Sequence, residues 1–263
     1  MTNPIGAGLF LLGILASVSS SAPTAQAGDV LDGIRASGEL RVGTTGDYKP
    51  FSFREADGGY VGADIDMARR FAAKLAVKIV FVPTTWSELA HDYAADRFDI
   101  AVGGITKLPA REALGPFAHA VYVDAKRPIV RCADSDRYTS LSALNRPDVR
   151  IVVNPGGSNE NFARANFGAA QLKVHRDNVS VFDEIAAGRA DAMVTDGIEV
   201  DHTALAHPGV LCPAQVAAPF SRDEKAYWLR PDPTFLALVN AWLDDEVASG
   251  SWQRSFDAAM QRP

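Results

Sequence analysis

The strongest constraint on the fold is a layout that occurs twice along the chain. Residues 40–44 read as a strand and residues 64–75 as a helix, with Ile65, Ala68, Phe71, Ala72 and Leu75 at helical spacing. Residues 79–82 read as a strand, 86–95 as a helix and 99–103 as a third strand. The order then repeats: strand 151–153, helix 160–167, strand 173–175, helix 181–187 and strand 191–195. The matching points are Arg97-Phe98-Asp99-Ile100-Ala101 and Arg189-Ala190-Asp191-Ala192-Met193, where the last strand of each half opens on an aspartate. Alternating strands and helices predict an α/β fold with mainly parallel sheets. Two similar halves predict two lobes with a ligand cleft between them, because open α/β sheets bind at their strand C-terminal ends.

Residues 125–131 and 225–229 are apolar-rich segments of strand character between the lobes. They are expected as two crossing strands that bring the C-terminal tail back to the first lobe. The expected division is residues 28–125 with 226–263 as lobe one, and 126–225 as lobe two. Residues 235–248 read as an amphipathic packing helix.

The N-terminus differs in kind. Residues 9–15 form a short apolar core, too short to span a bilayer, followed by small residues and Ala25-Gln26-Ala27 before Gly28. This predicts a cleaved secretion signal over residues 1–27 and a periplasmic mature protein with no stable membrane association, although no lysine or arginine precedes the apolar core. Formal net charge is −6 with no basic run, so nucleic acid is not an expected partner. The two cysteines, Cys132 and Cys212, read as one disulfide in an oxidising compartment, with two buried thiols as the alternative. The five histidines are scattered without ligand spacing, so no metal is expected. A homo-oligomer stays open.

The segment 154–160, Asn-Pro-Gly-Gly-Ser-Asn-Glu, joins a buried strand to a helix. Its glycines let the backbone approach a ligand, and Ser158 is expected to cap a helix whose free N–H groups face an anion. Glu160 is out of place there unless it carries a proton.

Several motifs carry a resemblance. Residues 40–45, 47–53, 62–66 and 98–106 resemble the periplasmic solute-binding proteins for polar amino acids over nearly the whole mature chain. Thr44-Thr45-Gly46-Asp47-Tyr48-Lys49-Pro50-Phe51, Val82-Pro83-Thr84-Thr85-Trp86, the 154–160 loop and Glu224-Lys225-Ala226-Tyr227 look most like periplasmic cyclohexadienyl dehydratases, and both cysteines fall where that family carries them. The resemblance implies decarboxylating dehydration of prephenate to phenylpyruvate and of arogenate to phenylalanine, without a cofactor. The alternative is a non-catalytic amino-acid-binding protein of an ABC transporter.

The resemblance assigns roles. Arg111 would hold a substrate carboxylate through two parallel hydrogen bonds, completed by Thr106 and the N–H groups near Gly104. Trp86 and Tyr48 would flank the cyclohexadiene ring, although a tryptophan at a helix start is often core. Glu160 is expected as the general acid that lets the ring hydroxyl leave as water. An exposed glutamate is ionised at neutral pH, so that role needs cleft closure to raise its pKa against the helix N-terminus. Asp196 stands where relatives hold a ligand ammonium, which would favour arogenate. Asn154, Asn159 and Lys225 are further polar contacts.

Overall fold

The computed structural model describes residues 29–262, together with Met1. The leader expected over residues 1–27 lies, apart from Met1, outside the described residues.

The repeated layout folds as two sheets. The first has the order Trp228–Leu229, Ile100–Ala101, Glu39–Thr44, Lys78–Pro83, with the last three strands parallel and the first antiparallel to its neighbour. The second has the order Gln171–Val174, Arg150–Val153, Ala192–Asp196, Lys126–Arg131, Leu211–Cys212–Pro213. Its first three strands are parallel, and Lys126–Arg131 runs antiparallel to both its neighbours. Both sheets are therefore mixed.

The two matching aspartates explain the repeat. Asp99 accepts from the backbone N–H of Arg41 at 2.8 Å and from its guanidinium at 2.6 and 3.1 Å. Asp191 does the same to Arg150, at 2.9 Å from the backbone N–H and 2.7 and 3.1 Å from the guanidinium. Each aspartate immediately precedes a strand, Ile100–Ala101 or Ala192–Asp196, and clamps it beside its parallel neighbour, Glu39–Thr44 or Arg150–Val153. One device, used twice, sets the register of both sheets.

The cores follow the strand pattern. Ile151, Val152 and Val153 are all buried, as expected of a parallel strand covered on both faces. In the first lobe, Phe71 packs at 4.7 Å from Trp242, so the helix Ala63–Leu75 rests on the C-terminal helix Pro233–Ala248. The tail after residue 226 thus belongs to the first lobe's core. The pairing that links the lobes lies earlier than expected: Tyr122–Asp124 runs antiparallel to Asp223–Lys225. Residues 126–131 are instead absorbed into the second sheet, and 228–229 into the first.

Cys132 and Cys212 form a disulfide across 80 residues. It ties the end of Lys126–Arg131 to the neighbouring strand 211–213. No helix among the described residues is long and apolar enough to cross a membrane. The short hairpin strands at residues 47–61 and the helices Gly197–Ala206 and Ser251–Met260 carried no signal of their own in the sequence reading.

Candidate functional site

A narrow cavity of about 20 Å³ lies between the lobes, lined from the first by Tyr48, Trp86 and Thr106, with Lys225 of the linking pair beside them. Asn154, Ser158, Asn159, Asp196 and Glu199 line it from the second. The lobes are in contact around it: Tyr48 Oη donates to Asp196 Oδ2 at 2.6 Å, and Thr106 Oγ1 lies 3.4 Å from Ser158 Oγ. Gly156 helps to allow this approach, since a Cβ there would meet Ser87 Cα at 2.4 Å and its φ of +82° already favours glycine.

Two buried lysines define the centre. Lys126 Nζ donates to Asp196 Oδ1 at 2.8 Å, to Ser158 Oγ at 2.9 Å and to Asn159 Oδ1. Lys225 Nζ donates to Asp196 Oδ2 at 2.6 Å and to Thr106 Oγ1 at 2.7 Å. Burial alone would raise the Asp196 carboxyl, but these two ammonium groups outweigh it and hold the pKa well below the usual carboxylate range. Burial likewise lowers Lys225, against the pull of Asp196. Asp196 is ionised, yet both its oxygens are occupied. Where a ligand ammonium was expected, the chain's own ammonium groups stand, so a ligand's would have to compete with them.

Arg111 is buried at 7% exposure, and Nη1 donates to Thr106 O at 2.9 Å. The rest of its guanidinium has no hydrogen-bond partner among the described residues and lies 6.0 Å from the Trp86 ring centroid. Burial lowers its pKa to about 10, so it remains charged at neutral pH. Trp86 is oriented by its N–H, which donates to Asp47 Oδ1 at 3.0 Å, and meets Tyr48 edge-on at 5.9 Å. The N–H groups of Gly103 and Gly104 are not available to a substrate, because both donate to Asp64 Oδ2, at 3.0 and 2.8 Å.

The structure separates Glu160 from the role expected of it. Its carboxylate folds back to accept from Gly156 N–H at 2.6 Å and from the Arg164 guanidinium at 2.6 and 2.8 Å. The Gly156 hydrogen bond, then Arg164, lower its pKa against a modest effect of burial. The physical reason is the one set against it from the start: at a helix start, beside a free N–H and an arginine, the anion is favoured. Ser158 is likewise not the cap. Gly157 takes the N-cap position without a side-chain bond, and the Ser158 hydroxyl turns to Lys126.

Glu199 has the environment that was expected of Glu160. It is 6% exposed, and burial raises its pKa to about 8, with the Asp196 and Asp47 charges adding to the rise. The Thr195 hydroxyl and Lys126 oppose that rise. Thr195 Oγ1 donates to Glu199 Oε2, and Asn159 Nδ2 donates in turn to Thr195 Oγ1 at 2.8 Å. Oε1 is left without a partner among the described residues. At neutral pH the carboxyl is therefore mostly protonated, with one oxygen held and the other free. Glu199 and Lys126 were both missed in the sequence. Glu199 sits three residues after Asp196 at a helix start, the place of an ordinary first-turn acid. Lys126 lies in the apolar-rich segment 125–131, where nothing local singles it out.

Two ammonium groups, Lys126 and Lys225, thus share the single carboxylate of Asp196.

Residues 40–260 match the family described as bacterial extracellular solute-binding proteins, family 3. The chain is 46% identical to a cyclohexadienyl dehydratase of Pseudomonas aeruginosa over 242 residues, which is 92% of this chain and 88% of that protein. A crystal structure of an ancestral amino acid-binding protein, described as a precursor of cyclohexadienyl dehydratase, is similar at a TM-score of 0.79 and 33% identity, over 88% of this chain and 99% of that one. A crystal structure of an ancestral cyclohexadienyl dehydratase is similar at a TM-score of 0.55 and 45% identity, over 91% and 99%. The chain belongs to the bacterial extracellular solute-binding proteins, family 3.

Proposed function

We propose that this protein is a cyclohexadienyl dehydratase, a carbon–oxygen lyase that converts prephenate to phenylpyruvate and arogenate to phenylalanine, with Glu199 rather than Glu160 as its general acid. The observation that carries the reading is the Glu199 carboxyl itself, buried on the cleft wall with one oxygen held by Thr195 and its pKa raised by desolvation. A binding protein has no use for a proton donor there, and each buried polar group without a partner costs about 1–3 kcal/mol.

The chemistry follows from the substrate. Both substrates carry a ring hydroxyl opposite a quaternary carbon bearing a carboxylate. Hydroxide is a poor leaving group, so Glu199 Oε1 donates its proton as the C–O bond breaks. The electron pair of the ring-to-carboxylate bond moves into the ring, carbon dioxide departs and the ring becomes aromatic. Thr195 holds Oε2 and orients the free oxygen. Arg111 binds one substrate carboxylate through its open fork, and Lys126 and Lys225 supply charge for the other. Tyr48 and Trp86 give the ring a face and an edge. Glu160 and Arg164 brace the Gly-rich loop.

The two lobes separate at the linking pair 122–124 and 223–225 to admit the substrate and close to exclude water, with residues 28–125 and 226–263 moving against 126–225. The leader over residues 1–27 exports the chain to the periplasm.

The test is to incubate purified mature protein with prephenate near neutral pH and follow phenylpyruvate. Turnover in the wild type and its loss in Glu199→Gln, with prephenate binding retained, is the expected result. Prephenate or an amino acid recovered unchanged from the wild type would return the protein to the transport role.

A further inference from the structure

Each turnover consumes a proton. Prephenate dianion plus one proton gives phenylpyruvate monoanion, carbon dioxide and water. The O–H bond of Glu199 breaks, its proton leaves in the water, and no product returns it. Glu199 is left ionised and must be reloaded before the next cycle.

Glu199 stands on the wall between two cavities. One is the cleft cavity already described. The other, of about 150 Å³, lies behind it and is lined by Lys49 and Phe53 of the first lobe and by Phe182, His202, Thr203 and Ala206 of the second. Asp47 and Asn178 also line it, and Asn178 borders the cleft cavity as well. Asn178 is 6% exposed, and its Nδ2 donates to Asp47 O at 2.9 Å. Its Oδ1 is buried without a hydrogen-bond partner. A buried carbonyl oxygen orphaned beside a cavity that also reaches Glu199 and His202 marks a candidate water site, although most of that cavity's wall is apolar.

His202 completes the wall. It lies three residues beyond Glu199 on the helix Gly197–Ala206, and so on the same face. Its Nε2 pairs with Arg262 O at 3.1 Å, which makes that nitrogen the one bearing hydrogen and leaves Nδ1 as an acceptor. Burial, helped by the Lys49 charge and opposed by Arg262 O, holds its pKa below the usual value. The ring is neutral at neutral pH and can take up a proton transiently. The charges that bear on Glu199 itself are Asp196 and Lys126 within the second lobe and Asp47 from the first.

Resting on Glu199 as the acid, we propose that it is reprotonated from behind, through water held in this second cavity between Asn178 Oδ1 and the His202 ring. The acid is reloaded while the substrate side of the cleft stays closed to solvent.

Two variants test this. Ala206→Trp narrows the exposed mouth of the cavity, and His202→Gln removes the titratable group. Rapid-quench measurement with enzyme in excess over prephenate reads the first turnover, which uses the proton already on Glu199. Steady-state assay reads reloading. The expected result is a first-turnover rate within about twofold of wild type and a steady-state kcat lowered about tenfold in both variants, with small imidazole buffers restoring His202→Gln. An equal loss in both regimes would show a merely structural role, and unchanged steady-state rates would also overturn the route. If wild-type turnover instead survives in Glu199→Gln, it is the assignment of the acid that fails.

Discussion

Asp196 and Glu199 lie three residues apart, both buried against one cavity, and their carboxyl groups are driven in opposite directions. Lys126 and Lys225 hold Asp196 ionised against its burial, whereas burial raises Glu199 to about 8 with the Asp196 charge adding to it. One strand end thus supplies a fixed anion and a proton donor side by side. Pairs of titratable groups pushed apart by their surroundings are how a site assigns acid and base roles.

Replacing the acid should cost what general-acid catalysis contributes. Glu199→Gln is expected to lower kcat by roughly 10²–10⁴-fold with little change in prephenate affinity. Glu160→Gln breaks a bond to Gly156 and an ion pair at the surface, and is expected to lower kcat less than about tenfold. Steady-state kinetics of the two variants decide between them, and a larger loss in the Glu160 variant would restore the sequence-based expectation.

The pH profile has a defined sign. Glu199 must be protonated to act, so kcat/KM should be flat below pH 8 and fall about tenfold per unit above it. A bound dianion pushes the same pKa further up, so the limb in kcat should lie at higher pH than the limb in kcat/KM. A profile that rises with pH through that window would exclude a protonated carboxyl as the active form.

The same shift appears in stability. A carboxyl whose folded pKa is raised to about 8, from an ordinary value of 4.5, binds a proton in the native state that the unfolded chain has released. Between those values its contribution to stability falls as pH rises, by at most about 1.4 kcal/mol per unit. Glu199→Gln should flatten that part of the wild-type curve in urea titrations from pH 5 to pH 8, and parallel curves for the two proteins would contradict the raised pKa.

Substrate preference follows from the occupied Asp196. Arogenate brings an ammonium group that finds both oxygens of Asp196 already bound by lysines, whereas the keto group of prephenate needs no anion. We expect kcat/KM for prephenate to exceed that for arogenate by about tenfold or more, a difference of about 1.4 kcal/mol. Arg111→Lys should lower both by roughly 10–100-fold, since an ammonium cannot replace a two-pronged contact. Equal or reversed preference in competition assays would mean that the ammonium displaces a lysine.

The disulfide is a separate matter of stability. A cross-link across 80 residues removes loop entropy worth about 4–5 kcal/mol on the chain-entropy model. The double variant Cys132→Ser, Cys212→Ser is expected to lose about 2–4 kcal/mol in urea unfolding. An unchanged midpoint would show that pairing of the strands 126–131 and 211–213 suffices alone.

The chain's order of strands and helices, the repeat marked by its two aspartates and its family motifs were legible in sequence, because they depend on local periodicity and short residue patterns, whereas the clamps those aspartates form were not. The two-lobed α/β architecture followed from them. The choice of acid did not. Glu160 and Glu199 are each the third residue of a helix that starts at the end of a buried strand, at residues 158 and 197. Read locally, they are equivalent. Folding sends one carboxylate back to the Gly156 N–H and an exposed arginine, and carries the other into a closed cavity beside Asp196 and Asp47. Desolvation and neighbouring charge act through space rather than along the chain, and only the tertiary structure decided which glutamate keeps its proton.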